Sequence, residues 1–456
     1  MLVVRSRRVI LPEGEHPAAV YIDKGVFERI VAYDADNPTG SQVFNVPDLI
    51  VSPGIVDTHV HVNQPGRTDW EGFDTATRAA AAGGVTTVVD MPLHSIPATT
   101  TVAALRAKRE SARAQCHVDV GFWGGVVPGN ASELEGLIDA GVRGFKCVLA
   151  PSGVDEFQAV GEADLRLALP ILARRKMPLL VHAEAPAFIS HPADPTYQAY
   201  LASRPPEAEL EAIRLMIRLA GEFRVSTHIL HVSSAEGVDA IARAKRSWVP
   251  ITAETCPHYL TFVAGRIPDG ATEFKCAPPI RDESHRDALW EGLDDGTLDM
   301  VVTDHSPSPP SLKAPGNFIA AWGGIASLEL TLPATWTAAR EQFVAQSFRQ
   351  GETDVEPEGG FRPSAAALAR WMSERPAALA GLSEKKGRIA PGLDADLVVW
   401  DPDAARTVDA PKLQQRHKVT PYAGRTLFGK IVTTFVRGER VWDKRRLARL
   451  YSGAQL

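Results

Sequence analysis

Short β-branched runs alternate with longer stretches rich in Ala, Leu and Arg from residue 49 to residue 304, and this alternation limits the fold more than any other feature of the chain. It is the pattern of βα units laid around a parallel sheet. Eight runs are present, at 50–57, 85–91, 117–122, 144–147, 179–182, 227–232, 251–254 and 300–304. Strands of a parallel sheet are covered on both faces, so they read as nearly continuous apolar segments, as Val85-Thr86-Thr87-Val88-Val89 does. Eight such units predict an α/β chain folded as a (β/α)8 barrel, with its chemistry at the end where the strands terminate.

The polar residues fall where that prediction needs them. His59 and His61 follow the first run, Lys146 lies near the end of the fourth, His182 closes the fifth, His231 falls late in the sixth and Asp304 closes the eighth. Groups able to hold a metal or a proton therefore converge on one mouth. Side chains of an extended chain alternate with period two, so His59 and His61 face the same side and can grip one ion. An isolated pair of this kind is as often two satisfied core histidines. Its place after an apolar strand, with ligand-type residues at other strand ends, favours the metal.

Lys146 stands in a strand that should be buried, where an unpaired ammonium is costly. It must be paired, exposed at the mouth, or modified. Burial near cations favours the neutral amine, which can add carbon dioxide to give a carboxylate-like carbamate. His182 and His231 would supply imidazoles to a second ion, whereas His228, three residues before His231, points to the opposite face and reads as structural. Asp304 is either a ligand or a loop-capping carboxylate. As a ligand it can accept a proton from water activated by bound cations and pass it to a leaving nitrogen.

The flanking sequence has a different texture. Residues up to about 47 carry short alternating strands with turn signals such as Asp23-Lys24-Gly25, and a second β-rich section runs from about 387 to 442. The two are expected to pair as a small β-sandwich domain of residues 1–50 and 388–456 around a barrel domain of residues 51–387. The acidic, Gly-rich stretch 351–361 reads as a surface loop. Lys and Arg are scattered singly in a chain of net charge −6, so nucleic acid is not an expected partner. No apolar run reaches the roughly 18 residues of a membrane span, and the first residues lack the regions of a signal peptide. These features predict a soluble cytoplasmic protein with no membrane partner. Cys116, Cys147, Cys256 and Cys276 lie far apart with no CxxC pair and read as free thiols.

Taken in order, the motifs carry a resemblance. His59-Val60-His61, Gly144-Phe145-Lys146, Val181-His182-Ala183-Glu184, His231-Val232-Ser233-Ser234, Glu254-Thr255-Cys256-Pro257-His258-Tyr259-Leu260 and Thr303-Asp304-His305 together resemble the cyclic amidohydrolases. That family comprises allantoinases, hydantoinases or dihydropyrimidinases, and dihydroorotases. The segment from Gly387-Arg388-Ile389 to Val398-Val399-Trp400 is similar to the one by which the family's chain leaves the barrel for its β domain. The resemblance implies two divalent metal ions held by His59, His61, His182, His231, Asp304 and a carbamylated Lys146 that bridges them. Imidazole and oxygen ligands suit zinc without excluding cobalt, manganese, iron or nickel. It also implies a homo-oligomer, tetramer or dimer.

Residues beyond the ligands point to a branch of the family. Dihydroorotases usually place an arginine where Asn63 stands, so the clamp for a substrate carboxylate is missing here. The segment from Asn63-Gln64-Pro65 to Glu71-Gly72-Phe73 resembles allantoinases, as do Asp90-Met91-Pro92-Leu93, Ser152-Gly153-Val154-Asp155-Glu156-Phe157 and Trp322-Gly323-Gly324-Ile325. The implied substrate is a small cyclic ureide, allantoin, opened to allantoate. Other cyclic ureides, and a non-catalytic scaffold of the same fold, are the rival readings. Ser152, Cys276, Gly323, Asn63, His94 and His258 are the candidate substrate contacts. Two positions depart from the allantoinase pattern: Gln64, commonly acidic, and His94, commonly asparagine.

Overall fold

The computed structural model describes residues 1–349, 363–443, 446–447 and 451–456. Eight parallel strands make the barrel: Ile55–Val60, Val85–Asp90, Asp119–Phe122, Phe145–Val148, Leu179–His182, Thr227–Ile229, Ile251–Thr255 and Met300–Val301. They pair in sequence order, and the two-residue strand Gly124–Gly125 carries the third on to the fourth. The ring closes between its first and last strands. There His61 N donates to His305 O at 2.8 Å and His305 N donates to His59 O at 3.2 Å.

Each run expected to form a strand contains one, but the first is divided between two sheets. Ile50–Pro53 pairs antiparallel with Leu397–Thr407, and only Ile55–Val60 enters the barrel. Gly54 makes the switch possible, because a Cβ there would lie 2.3 Å from Thr86 Oγ1. The hydrophobic run is continuous in sequence since both halves are fully buried, so periodicity could not reveal the break.

Both ends of the chain build the β-sandwich domain. Its strands follow the order Arg446–Leu447, Glu439–Asp443, Thr426–Val436, Leu397–Thr407, Ile50–Pro53, Leu2–Leu11, Gly14–Asp23 and Val26–Ala32, with Gln42–Asn45 parallel to Leu2–Leu11. Val4, Val20, Val51, Val399 and Phe435 fill its core. The indole of Trp336, from the helix Thr331–Arg349, donates to Pro402 O at 2.9 Å and ties this domain to the barrel. The stretch 351–361, read as a surface loop, lies outside the described residues. Among the described residues no helix is long and apolar enough to cross a membrane.

The barrel helices are amphipathic for the usual reason. In Pro206–Phe223, Ala208, Ala212, Ile213, Met216, Leu219 and Ala220 recur at helical spacing and face inward. Pro206 sits at the first turn, where its missing N–H costs nothing, and Arg224 ends the helix in a left-handed conformation. Ser234 caps the next helix, Ala235–Arg246, by accepting from Gly237 N at 3.2 Å.

A buried ion cluster fastens the two domains. Lys386 Nζ, fully enclosed, lies 2.8 Å from Asp119 Oδ2, 3.0 Å from Asp394 Oδ2 and 2.7 Å from Asp396 Oδ2. Asp119 opens the third barrel strand and also pairs with Arg437 of the β domain. Removing one member of such a cluster strands the others without compensation. Lys386→Met should therefore cost about 3–5 kcal/mol of stability, read as a lower denaturant midpoint. A midpoint shift equivalent to less than about 1 kcal/mol would mean that the cluster is dispensable.

Candidate metal centre

The strand ends bring the expected ligands into one group. His59 Nε2 lies 3.1 Å and His61 Nε2 3.4 Å from Asp304 Oδ1. Lys146 Nζ stands 3.4 Å from His59 Nε2, and His182 Nδ1 stands 3.0 Å from His231 Nε2. One ligand atom each from His59, His231 and Asp304 lie within 4.8 Å of one another, and all three residues are buried. This is a metal-binding cluster.

Local backbone aims two of these side chains. His231 and Asp304 adopt φ of 39° and 44°, in the left-handed region that residues other than glycine seldom occupy. The turns end their strands at Ile229 and Val301, earlier than the apolar runs suggested, and swing the side chains into the mouth. Such conformations persist only where neighbours enforce them. Behind His231, Ser233 donates through N and Oγ to Glu209 at 2.8 and 2.7 Å. Before Asp304, Thr303 N donates to Asp57 Oδ2 at 3.2 Å, and His305 N donates to Thr303 Oγ1 at 3.0 Å.

Buried carboxylates orient the imidazoles. Glu254 Oε1 lies 2.5 Å from His59 Nδ1, and its Oε2 lies 2.9 Å from His228 Nε2. Glu184 Oε2 lies 2.8 Å from His182 Nε2 and is held in turn by Arg204, at 2.6 Å from Nη2 and 3.0 Å from Nε to Oε1. A ring nitrogen bonded to a carboxylate carries the proton and leaves its other nitrogen as a lone pair. His59 thus offers Nε2 and His182 offers Nδ1, the two atoms that face the cluster. The donor set fits divalent metal.

Electrostatics agree with that fit. Burial holds His59, His61 and His231 well below the usual imidazole range, so they are neutral and able to ligate. Burial also pulls Lys146 down to about 8, against the carboxylates of Asp304 and Glu254. Glu184 is raised by burial, but Arg204 and His182 outweigh that and keep it ionised. Asp57 is pushed up to about 7 by burial, opposed by hydrogen bonds from Thr303 and His59.

A cavity of about 310 Å³ opens beside the cluster, lined by His61, Lys146, His182, His231 and Asp304. Of the candidate contacts, His94, Ser152, Cys276 and Gly323 also line it. The His94 ring lies 4.6 Å from that of His61, while the Ser152 hydroxyl is engaged at 2.6 Å by Phe157 O. Asn63 and His258 are not among the lining residues. Asn63 Nδ2 donates to Pro307 O at 3.4 Å, and His258 is buried with its ring 4.2 Å from that of Tyr259. Burial takes His258 down to about 4. Gln64 does not reach the cavity: its Oε1 accepts from Phe73 N at 3.0 Å, at the start of a helix. Sequence reasoning gave no site role to Glu184, Arg204, Glu254 or Trp322, although all but Arg204 stand within its motifs. A signal existed for the two glutamates: Glu184 shares the face of His182 two residues on, and Glu254 ends a strand among ligand-bearing strands.

The sequence profile of the amidohydrolase family matches residues 50–441. The chain is 49% identical over 443 residues to an allantoinase of Streptomyces avermitilis, covering 96% of this chain and 95% of that one. It is 40% identical over 464 residues to an allantoinase of Arabidopsis thaliana, covering 97% and 88%. Among solved structures it resembles the L-hydantoinase of Arthrobacter aurescens, with a TM-score of 0.89 and 30% identity over 100% of this chain and 99% of that one.

The carboxylate behind His59 gives a test of the site. Glu254→Gln keeps the volume but replaces one of the two carboxylate oxygens by a donor, so the side chain can no longer accept from both His59 Nδ1 and His228 Nε2. It should weaken metal retention about 10- to 100-fold, measured by competition with a chelator. Unchanged retention would show that Glu254 plays no part in orienting the ligand.

Proposed function

We propose that this chain, which belongs to the amidohydrolase family, hydrolyses the cyclic amide bond of allantoin to give allantoate at a dinuclear metal centre. The observation that carries the reading is the convergence of His59, His61, Lys146, His182, His231 and Asp304 on one mouth, joined to 49% identity with an allantoinase over nearly the whole chain. His59, His61 and Asp304 would hold one ion, His182 and His231 the other, and a carbamate on Lys146 would bridge them. The lowered pKa of Lys146 supports the carbamate, because the neutral amine is the form that adds carbon dioxide. Zinc suits this donor set. Bound ions supply Lewis-acid activation of the ring carbonyl and of water.

The chain's own groups do the rest. Asp304, at the cavity, takes the proton of the attacking water and returns it to the ring nitrogen as the C–N bond breaks. The products are a carboxylate and a free ureido nitrogen. His94, Ser152, Cys276 and Gly323 provide the wall against which a neutral ureide is held by hydrogen bonds.

A hydantoinase or dihydropyrimidinase activity is the second reading, favoured by the structural likeness to the Arthrobacter enzyme. The higher identity to allantoinases places allantoin first. We further propose a cytoplasmic homo-oligomer, tetramer or dimer. All four cysteines are buried and unpaired, which suits a reducing compartment.

Substrate preference tests the proposal. Arg204, a cation at the cavity, is committed to Glu184, and no arginine stands at position 63. Of the two lysines at the cavity, Lys146 is assigned to the metal bridge and Lys275 Nζ is engaged by Ala321 O and Ile319 O; dihydroorotate would therefore place its carboxylate without a free charge-assisted partner, a loss of roughly 1.5–3 kcal/mol or about 10- to 150-fold. At equal metal content, allantoin should be opened with the highest kcat/KM among allantoin, hydantoin, dihydrouracil and dihydroorotate. A higher value for any other ring overturns the assignment of substrate and leaves the family intact.

A further inference from the structure

One wall of the cavity is a loop: Trp322, Gly323 and Gly324 line it, and the Trp322 ring stands 5.8 Å from His94 and 5.0 Å from Trp70. This wall carries no regular structure of its own to hold it. Two ammonium groups hold it instead. Lys275 Nζ donates to Ala321 O at 2.7 Å and Ile319 O at 3.4 Å. Lys313 Nζ donates to Gly324 O at 2.6 Å and Trp322 O at 3.3 Å. The main chain adds two bonds from the same places, Gly324 N to Lys275 O at 2.8 Å and Trp322 N to Leu312 O at 2.7 Å.

The cost of this arrangement identifies its purpose. Lys313 is buried, and among the described residues neither lysine forms an ion pair within 4.0 Å. A buried ammonium satisfied by carbonyls alone is more expensive than a paired one or a methionine of the same shape. Stability is therefore a poor reason for its presence, whereas holding four carbonyls of a six-residue stretch is something only a charged donor does well. The wall has little freedom on its other side: a Cβ on Gly324 would lie 2.3 Å from Ser306 O, two residues after Asp304.

We propose that Lys313 and Lys275 are positioning residues that hold residues 319–324 as the substrate-facing wall, setting affinity for the ring while the metal centre sets the rate of its opening. The inference rests on the reading that this cavity takes a cyclic ureide. Burial pulls both ammoniums down to about 8. For Lys313, the charge of Glu273 opposes the shift and Lys275 adds to it; for Lys275, which also lies 5.0 Å over the Tyr200 ring, Arg204 adds to it. The clamp consequently weakens as pH rises through that value.

The test is steady-state kinetics on whichever cyclic ureide the wild-type holoenzyme opens best, with Lys313→Met, Lys275→Met and Lys313→Arg at equal metal content. Lys313→Met should raise KM on the order of ten- to a hundredfold with kcat within about threefold. Lys275→Met, at a more exposed site, should move KM the same way by less. Lys313→Arg, which keeps the charge, should restore most of the affinity, and its KM should climb less steeply than that of the wild type between pH 7 and pH 9, roughly the span of the titration. Wild-type KM in Lys313→Met, or a fall in kcat and metal content at unchanged KM, overturns the clamp. Should Lys313→Met fail to fold, identical pH dependence of KM in the wild type and Lys313→Arg overturns it equally. Absence of wild-type turnover on every ring removes the functional reading and the clamp together.

Discussion

Four imidazoles, a lysine amine and a carboxylate share a space in which neighbouring atoms stand 3.0–3.4 Å apart. In a buried place, crowding of that kind is unfavourable unless the imidazoles are neutral and their lone pairs have something to bind. Burial enforces the first condition for His59, His61 and His231. Glu254 and Glu184 enforce a direction, since each takes the outer nitrogen of a histidine and leaves the inner one free. The surrounding structure follows from keeping these groups in register.

Barrel closure is the largest part of that task. The bonds between His59, His61 and His305 join the first and last strands at the level of the ligands, so the seam of the barrel and the metal cluster are the same place. Asp57 and Thr303 brace it from below. His305 Nδ1 accepts from Ser327 N and Leu328 N at 3.1 and 3.3 Å, fixing the residue after Asp304 to the chain beyond the substrate wall. The β domain takes part as well: Arg416 N donates to Glu71 Oε1 at 3.0 Å, and Glu71 Oε2 lies 3.4 Å from His305 Nε2.

Much of this was legible in the sequence because it depends on local pattern. Eight apolar runs marked eight strands, and ligand-type residues at their ends marked the mouth. His228 bonds to Thr252 and Glu254, but His231 lies beyond the strand end at Ile229 in a left-handed turn, so alternation within an extended segment is not what separates the two. What escaped was set by tertiary contact. The switch of sheet at Gly54 depends on the proximity of Thr86, and the left-handed turns at His231 and Asp304 depend on Glu209 and Asp57, distant in sequence. Glu254 and Glu184 lay within recognised motifs, yet their partners became visible only once the strands were side by side. Lys313 and Lys275 carried no signal, because a lysine in a loop ordinarily reads as solvent-facing.

The cluster of His59, His231 and Asp304 is a metal-binding site, and the dinuclear reading proposed for it requires two ions bridged through Lys146. Metal content of the fully active purified protein, determined by elemental analysis and expressed per chain, tests this most directly. Two divalent ions per chain are expected at full activity, both lost together when Lys146 is replaced by alanine. Full activity with a single ion per chain, or retention of both ions by Lys146→Ala, would contradict it.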